Sequence, residues 1–298
     1  MRTSWAPPGR TRAPGPAQTP CAARSRWRGQ AVSLTVLCLA LTLVMGSMTS
    51  VAVALPDIAR STGASQRELT WIVDSYTLAF AGLLLPCGAL GDRFGRRRML
   101  ILGLLIFGAG SVLAPVGDDP TTVIAARAVC GLGAALVMPA TLSLITTTMG
   151  DAIQERAVGI WVATCTLGGA LGLVFAGAVL AVSDWRAVLV ASAVAAVLVA
   201  LASGLARESR DPERHRFDLA GAVASAAAIG LVVVGINEAP THGWTSAPVG
   251  ACLVGGVLFL LAFMALELSR EHPLLDVRIF RSRYVLAGSL TLVGIFVV

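Results

Sequence analysis

The sequence contains no lysine, and its 23 basic residues are all arginine. Charged residues of either sign make up only 13% of the 298 residues, and aromatic residues make up 6%. Soluble globular domains are typically about 25% charged, because their surfaces must be covered by groups that water solvates. So little charge excludes an ordinary soluble domain.

Signatures of catalysis and of cofactor binding are also missing. The three histidines lie in three separate loops, and the six cysteines show neither metal-ligand spacing nor an evident pairing. The GLG at Gly131 to Gly133 lacks the third glycine of a dinucleotide loop and lies within an apolar run, and no phosphate-binding GxxxxGK[ST] loop occurs. We therefore expect no enzyme, no catalytic residues, no metal site and no tightly bound cofactor.

Long apolar runs dominate what is present, since 56% of the residues are hydrophobic. A membrane-spanning helix needs about 20 mostly apolar residues, and eight runs meet this requirement. They are Ala31–Leu55, Leu69–Leu90, Met99–Val116, Thr121–Thr147, Ala157–Val182, Ala187–Leu205, Leu219–Ile236 and Pro248–Leu268. The sequence therefore predicts an all-α polytopic membrane protein.

The spacing of these runs predicts five segments. They are a disordered basic cytoplasmic tail over 1–30, a six-helix bundle over 31–206, a cytoplasmic linker over 207–218, two additional helices over 219–268, and a cytoplasmic loop with the start of a ninth helix over 269–298. The ninth run begins at Tyr284, and its 15 residues cover about 22 Å of a hydrocarbon core about 30 Å thick. We expect the chain to be truncated at its C-terminal end.

The arginines predict the orientation of these helices. With the N-terminus in the cytoplasm, nineteen of the 23 arginines fall in cytoplasmic segments, as the positive-inside rule requires. They recur after every second helix and form no single basic face, which argues against a nucleic-acid partner. We expect a multi-pass protein of the cell membrane whose partner is the lipid bilayer.

The most distinctive stretch is GALGDRFGRRR, Gly88 to Arg98, between the second and third runs. Its glycines are predicted to allow tight turning and close backbone approach. A carboxylate at a helix C-terminus is poorly placed against the helix dipole, so Asp92 is expected to pair with a nearby arginine or with another helix's N-terminus. The predicted corner comprises Gly88, Gly91, Asp92, Arg93, Gly95, Arg96 and Arg97.

Two charged residues lie inside predicted spans. Asp74 shares a helix face with Trp71 and Leu78, and an acid beside an aromatic ring suits a lipophilic cation. Arg127 lies at a similar depth in the fourth run, and it would influence Asp74 if the two approached each other. Intramembrane charges are functional candidates by default, although Asp74 could instead reach interfacial water and Arg127 could extend to the membrane surface.

The fifth run carries small residues at helical spacing, which typically let membrane helices pack closely. The candidates for this packing are Gly168, Gly169, Gly172 and Gly177.

Several of these motifs, in this order, resemble a known family. GALGDRFGRRR and RAVCGLGAALVMPATL resemble loop and fourth-helix signatures of the major facilitator superfamily. WIVDSYTLAFAGLLLP, the DLAG of Asp218 to Gly221 and PLLDVRIFRSR resemble the fourteen-helix drug:proton antiporters, and the second-run text is most similar to the quaternary-ammonium and antiseptic efflux branch. The resemblance implies a facilitator-type six-helix bundle in which Asp92 and its arginines gate transport and Arg127 takes part in proton coupling.

The first run departs from that family's pattern. Where its members usually carry an acid and an asparagine, this sequence has Ser47 and Ala52. One proton or cation site of the family is therefore expected to be missing, which leaves Asp74 as the main carboxylate.

These features lead to one main functional expectation. It is proton-coupled efflux of small hydrophobic, cationic drugs or antiseptics, driven by the H+ gradient and requiring the C-terminal half of the transporter, which the chain is expected to lack. The alternatives are a truncated or degenerate fragment that acts at most as a membrane interaction partner, and an uncoupled facilitator.

Overall fold

The computed structural model describes residues 20–204 and 218–269. Within them the chain forms eight α-helices and one short 3-10 turn, Ala114–Val116. The helices are α1 Pro20–Thr62, α2 Gln66–Phe94, α3 Arg96–Leu113, α4 Pro120–Thr148, α5 Asp151–Leu180, α6 Trp185–Ser203, α7 Leu219–His242 and α8 Ala247–Ser269. All eight are long and apolar enough to cross a membrane. The predicted all-α class is confirmed.

Three predicted features fall largely or wholly beyond these ranges. The first 19 residues of the tail, the linker up to residue 217 and the ninth run from Tyr284 lie outside the described residues. The linker's last residue, Asp218, is described, and its side chain accepts a hydrogen bond from the Gly221 amide at 3.0 Å. It therefore caps the start of α7.

Three predicted helix ends, both ends of α1 and the end of α7, are wrong for the same reason. α1 begins at Pro20, inside the predicted tail, and continues through Pro56 to Thr62. α7 likewise continues beyond Ile236 and through Pro240 to His242. The apolar window detects only the part of a helix that matches the bilayer. A proline does not end a membrane helix where neighbouring groups satisfy the carbonyl it leaves free.

Alternate connections lie at opposite ends of the bundle. We call the end with the α1–α2, α3–α4, α5–α6 and α7–α8 connections the Ser65 end, and the opposite one the Gly95 end. At the Ser65 end, Ser65 and Glu68 form a capping box at the start of α2, and Asp119 caps α4 by accepting from the Thr122 amide at 2.8 Å. This hydrogen bond lowers the pKa of the Asp119 carboxyl. Each cap satisfies an amide that the helix leaves without an internal partner.

α4 lies at the centre of the packing, in contact with α2 on one side and α3 on the other. Both contacts depend on glycine. A side chain at Gly131 would collide with the carbonyl oxygen of Tyr76 on α2, and one at Gly133 would collide with the backbone of Phe107 on α3. The GLG triplet that fails as a cofactor loop is therefore a packing element, in which two helices approach α4 at backbone distance.

α1 and α5 form a second close contact. A side chain at Gly172 would collide with the backbone of Gly46, and a Cβ on Gly168 would lie 3.1 Å from the Met45 Cβ. The Gly169 carbonyl accepts a hydrogen bond from the Thr49 hydroxyl at 2.7 Å. The fourth glycine predicted to pack here does not: among the described residues, a Cβ on Gly177 would meet no atom within 4 Å.

Candidate substrate and coupling site

The predicted corner joins α2 to α3 at the Gly95 end. Gly95 has φ = 105°, a conformation that side-chain-bearing residues rarely adopt, and its amide donates to the Gly91 carbonyl at 3.0 Å. The other two glycines do not have the predicted role in close approach. A Cβ on Gly88 would make an ordinary contact with Pro139 at 3.6 Å, and one on Gly91 would meet no described atom within 4 Å. The turn itself requires glycine only at position 95.

The charges of this corner pair locally. An Asp92 carboxylate oxygen lies 2.7 Å from a guanidinium nitrogen of Arg96, one helical turn further along. The Arg93 guanidinium lies 5.3 Å from the ring centre of Phe94. Arg97 donates to the Gly204 carbonyl at 3.3 Å, which joins the start of α3 to the end of α6. The structure thus provides Asp92 with one of its predicted partners, and its gating role stays a prediction.

Arg127 lies in the interior of the bundle, with only 1% of its surface exposed. Its guanidinium donates to the Ser47 hydroxyl at 3.0 Å and to the Ile72 carbonyl at 3.4 Å, and lies 4.2 Å from the ring centre of Tyr76. The alternative in which Arg127 extends to the membrane surface is therefore wrong. Its proton-coupling role stays a prediction.

Ser47 is a contact that the sequence analysis missed. Its position was noted only for the acid it lacks, yet its hydroxyl is the α1 partner of Arg127. Ser47 also contributes to the wall of a cavity of about 270 Å³ between α1, α5 and α6. Three other hydroxyl-bearing residues share that wall, which is otherwise mostly apolar: Thr42, Ser50 and Ser192. Arg127 is thus linked through Ser47 to this mostly apolar space.

Asp74 lies about 12 Å along α2 from Gln66, at 1.5 Å per residue. Its carboxylate accepts a hydrogen bond from the side-chain amide of Asn237 on α7 at 2.7 Å. Asp74 also lines a cavity of about 450 Å³ beside Leu55 and Pro56 of α1. No ion pair joins Asp74 to Arg127 among the described residues, and the two side chains have different hydrogen-bond partners.

Trp71 lies beside a second carboxylate, that of Glu238 on α7. The indole N–H donates to this carboxylate at 3.4 Å. Arg67 contacts both oxygens of Glu238, at 2.8 and 2.9 Å, and His242 lies 3.1 Å from it. The side chain of Glu238 is only 16% exposed. α2 and α7 therefore meet through a polar contact that we call the α2–α7 contact, formed by Arg67, Trp71, Asp74, Asn237 and Glu238.

Asn237 and Glu238 were missed because the predicted seventh helix stopped at Ile236, one residue before them. Two adjacent polar residues at the end of an apolar run look like a loop to a hydropathy window. The available signal was their distance from the following glycine at 243, which left room for another helical turn. No cluster of three or more metal-ligating side chains occurs in the ranges the structure describes.

In a comparison with protein families, residues 37–298 match the Major Facilitator Superfamily. Among curated relatives, the chain is 37% identical over 253 residues to the cephamycin export protein CmcT of Amycolatopsis lactamdurans, covering 83% of this chain and 52% of the relative. It is 37% identical over 272 residues to the puromycin resistance protein pur8 of Streptomyces alboniger, covering 91% and 53%. It is also 37% identical over 283 residues to the multidrug efflux pump LfrA of Mycolicibacterium smegmatis, covering 93% and 56%. The chain spans about half the length of these relatives.

Solved structures show the same fold at lower sequence identity. A peptide transporter of the POT type, solved with sulfate, matches with a TM-score of 0.58 at 18% identity, covering 80% of this chain and 52% of that one. A bacterial homologue of the lysosomal transporter Spinster, in an inward-facing state, matches with a TM-score of 0.54 at 20% identity, covering 79% and 60%. At these identities the likeness bears on the fold alone.

Proposed function

Because the chain belongs to the Major Facilitator Superfamily, a family of transporters and not of enzymes, we propose that the whole protein exports hydrophobic, cationic drugs or antiseptics in exchange for protons. Relatives named for the export of, or resistance to, antibiotics and drugs support efflux as the direction of transport. The observation that best supports a cationic substrate is the Asp74 carboxylate, which lies inside an apolar span and one turn from Trp71.

We assign a separate role to each charged centre. Asp74 binds the cation or the proton. Arg127, buried among α1, α2 and α4, holds a fixed positive charge beside Ser47 and tunes proton coupling. Asp92 and the neighbouring arginines form a gate at the Gly95 end, where the Asp92–Arg96 pair is available to be exchanged for contacts with another helix.

We infer the orientation of the protein in the membrane from the positions of its arginines. We propose that the N-terminus and the Gly95 end face the cytoplasm, because the basic residues concentrate in the segments on that side. The Ser65 end, with Asp74 and the α2–α7 contact, then faces outward. We also propose that the protein belongs to the fourteen-helix, quaternary-ammonium branch, with α7 and α8 as its additional pair. Transport then requires a second bundle, since such transporters move one half against the other around a central site.

The test uses the full-length protein in bacteria whose own efflux pumps have been deleted. Cells loaded with ethidium are expected to export it at a rate that falls when the pH gradient is collapsed. The Asp74→Asn variant is expected to lower export to near background, whereas Asp118→Asn is expected to leave it unchanged, because Asp118 is exposed and pairs with Arg186 in a connection. Unchanged export by Asp74→Asn would contradict the role of Asp74, and export that ignores the pH gradient would indicate an uncoupled facilitator.

A further inference from the structure

The carboxylate of Asp74 is held by a helix other than its own. We propose that Asn237 on α7 is a positioning residue that fixes the Asp74 carboxylate, so that the proposed cation and proton site is shared between α2 and α7. This inference rests on the proposed function, because it concerns how the same carboxylate is held. It gives α7 a part in binding, where the sequence alone indicates an additional membrane-spanning helix and no more.

The first observation is the contact itself. The Asn237 amide nitrogen lies 2.7 Å from an Asp74 carboxylate oxygen, across 163 residues of sequence. Asn237 is the only asparagine in the chain, and it lies within a helix that is otherwise rich in alanine, valine and glycine. A hydrogen bond to an ionised group contributes more than one between neutral groups, and its loss leaves the charge without compensation.

The second observation concerns what fixes Asn237. Arg67, Trp71 and Asp74 occupy positions i, i+4 and i+7 of α2, which place them on one helix face. The first two contact Glu238, and the third contacts Asn237. Adjacent residues of α7 are therefore held by successive turns of α2, so the rotation of α7 is set by more than the Asn237 bond alone.

The third observation is the chemistry of the amide. A carboxamide carries both N–H donors and a carbonyl acceptor. It can donate to Asp74 when the carboxylate is ionised, and after rotation about its terminal bond it can accept from Asp74 when the acid is protonated. Asn237 is thus a suitable partner for both states of a group that exchanges protons. Asp74 also lines the cavity beside Leu55 and Pro56, so the held carboxylate is next to space for a ligand.

The test is a swap of the two groups in the purified full-length protein. Binding of tetraphenylphosphonium, a lipophilic cation, is measured by calorimetry for wild type, Asp74→Asn, Asn237→Asp and the double variant that carries both changes. Asp74→Asn is expected to bind about tenfold more weakly because the carboxylate that attracts the cation is removed. Asn237→Asp is expected to weaken binding to a similar extent because two facing carboxylates repel each other and the amide donor is lost. The double variant restores one carboxylate opposite one amide and is expected to recover to within about threefold of wild type.

Two further variants separate positioning from folding. Asn237→Gln keeps the amide, and is expected to bind more tightly than Asn237→Ala, which lacks it. Thr241→Val changes an exposed residue one turn further along α7 and is expected to bind like wild type. These variants give a binding series even if Asn237→Asp fails to fold.

The outcomes distinguish the inference from the proposed function. Weak binding by Asp74→Asn together with wild-type binding by Asn237→Ala and Asn237→Asp would overturn the role of Asn237 and leave the role of Asp74 intact. Wild-type binding by Asp74→Asn would overturn both. A double variant no better than its weaker parent, or equal binding by Asn237→Gln and Asn237→Ala, would also overturn the positioning role.

Discussion

The corner at Gly95 and the α2–α7 contact both place a carboxylate of α2 opposite a polar partner, but the partners differ in where the chain supplies them. Asp92 pairs with Arg96, four residues away. Asp74 instead pairs with Asn237, 163 residues away, and Glu238 pairs with Arg67, 171 residues away. A pair that is local in sequence can form whenever the turn forms, whereas a pair between distant helices exists only when the helices have packed. Charged residues of one helix can therefore stabilise either a local turn or the packing of distant helices.

The largest expected effect compares how closely backbones pack at the corner and at the contact between α2 and α4. Gly131→Ala places a Cβ against the Tyr76 carbonyl on α2, and is expected to destabilise the protein by about 3 kcal/mol, the upper range for overpacking. Thermal unfolding in detergent measures the change. Gly91→Ala in the corner is the matched control, since its Cβ meets no described atom within 4 Å. A control as harmful as Gly131→Ala would show that the corner is packed as closely as the contact between α2 and α4.

The next effect concerns the turn that forms the corner. Gly95→Ala forces a side-chain-bearing residue to adopt φ = 105°, and the expected destabilisation is about 1–2 kcal/mol. The same measurement on Gly150→Ala provides a control, because Gly150 precedes α5 with an ordinary φ of −71° and open space around its Cβ. Equal stability of the two variants would mean that the α2–α3 turn relaxes to another conformation without cost.

A smaller effect is expected at the distant pair. Glu238→Gln removes the charge that Arg67 contacts through both carboxylate oxygens, and is expected to lower stability by about 1 kcal/mol, since the arginine is more than half exposed. Hydrogen exchange of α7 amides near residues 235–242 should rise in this variant. Exchange that is unchanged in α7 and raised elsewhere would contradict the view that Arg67 and Glu238 hold α7 to α2.

The smallest effect on stability is expected at the local pair. Asp92→Asn removes an exposed i,i+4 interaction, and is expected to change the free energy of unfolding by about 0.5 kcal/mol or less. Ethidium export is nevertheless expected to fall if Asp92 gates transport, so stability and transport should separate in this variant. A variant with unchanged export would remove the gate and leave the corner as a turn alone. Asp57→Asn, near the end of α1, provides a control for a charge with a local partner.

Sequence reasoning succeeded where the determining interactions are local or repeat along the chain. Apolar runs predicted the membrane helices, and the GALGDRFGRRR motif identified the turn whose glycine and ion pair the structure shows. It failed for residues whose meaning depends on a distant helix. Ser47 faces Arg127 and Asn237 faces Asp74 only after packing, and the type of each residue does not show which helix it will contact. The GLG of α4 was likewise ambiguous until Tyr76 and Phe107 lay against it.

The arrangement of Arg67, Trp71 and Asp74 on one face of α2 also has a mechanical meaning. The three residues meet adjacent positions of α7, Asn237 and Glu238, and a second approach lies further along, where a Cβ on Gly82 would be 3.6 Å from the Ala226 carbonyl oxygen. Eleven residues of helix cover about 16 Å, so α7 meets α2 at two well-separated points. A helix fixed at one point can pivot, but one fixed at points this far apart transmits tilt and rotation to its neighbour. When α2 moves, α7 is expected to move with it, and the carboxylate on α2 keeps the same surroundings throughout that movement.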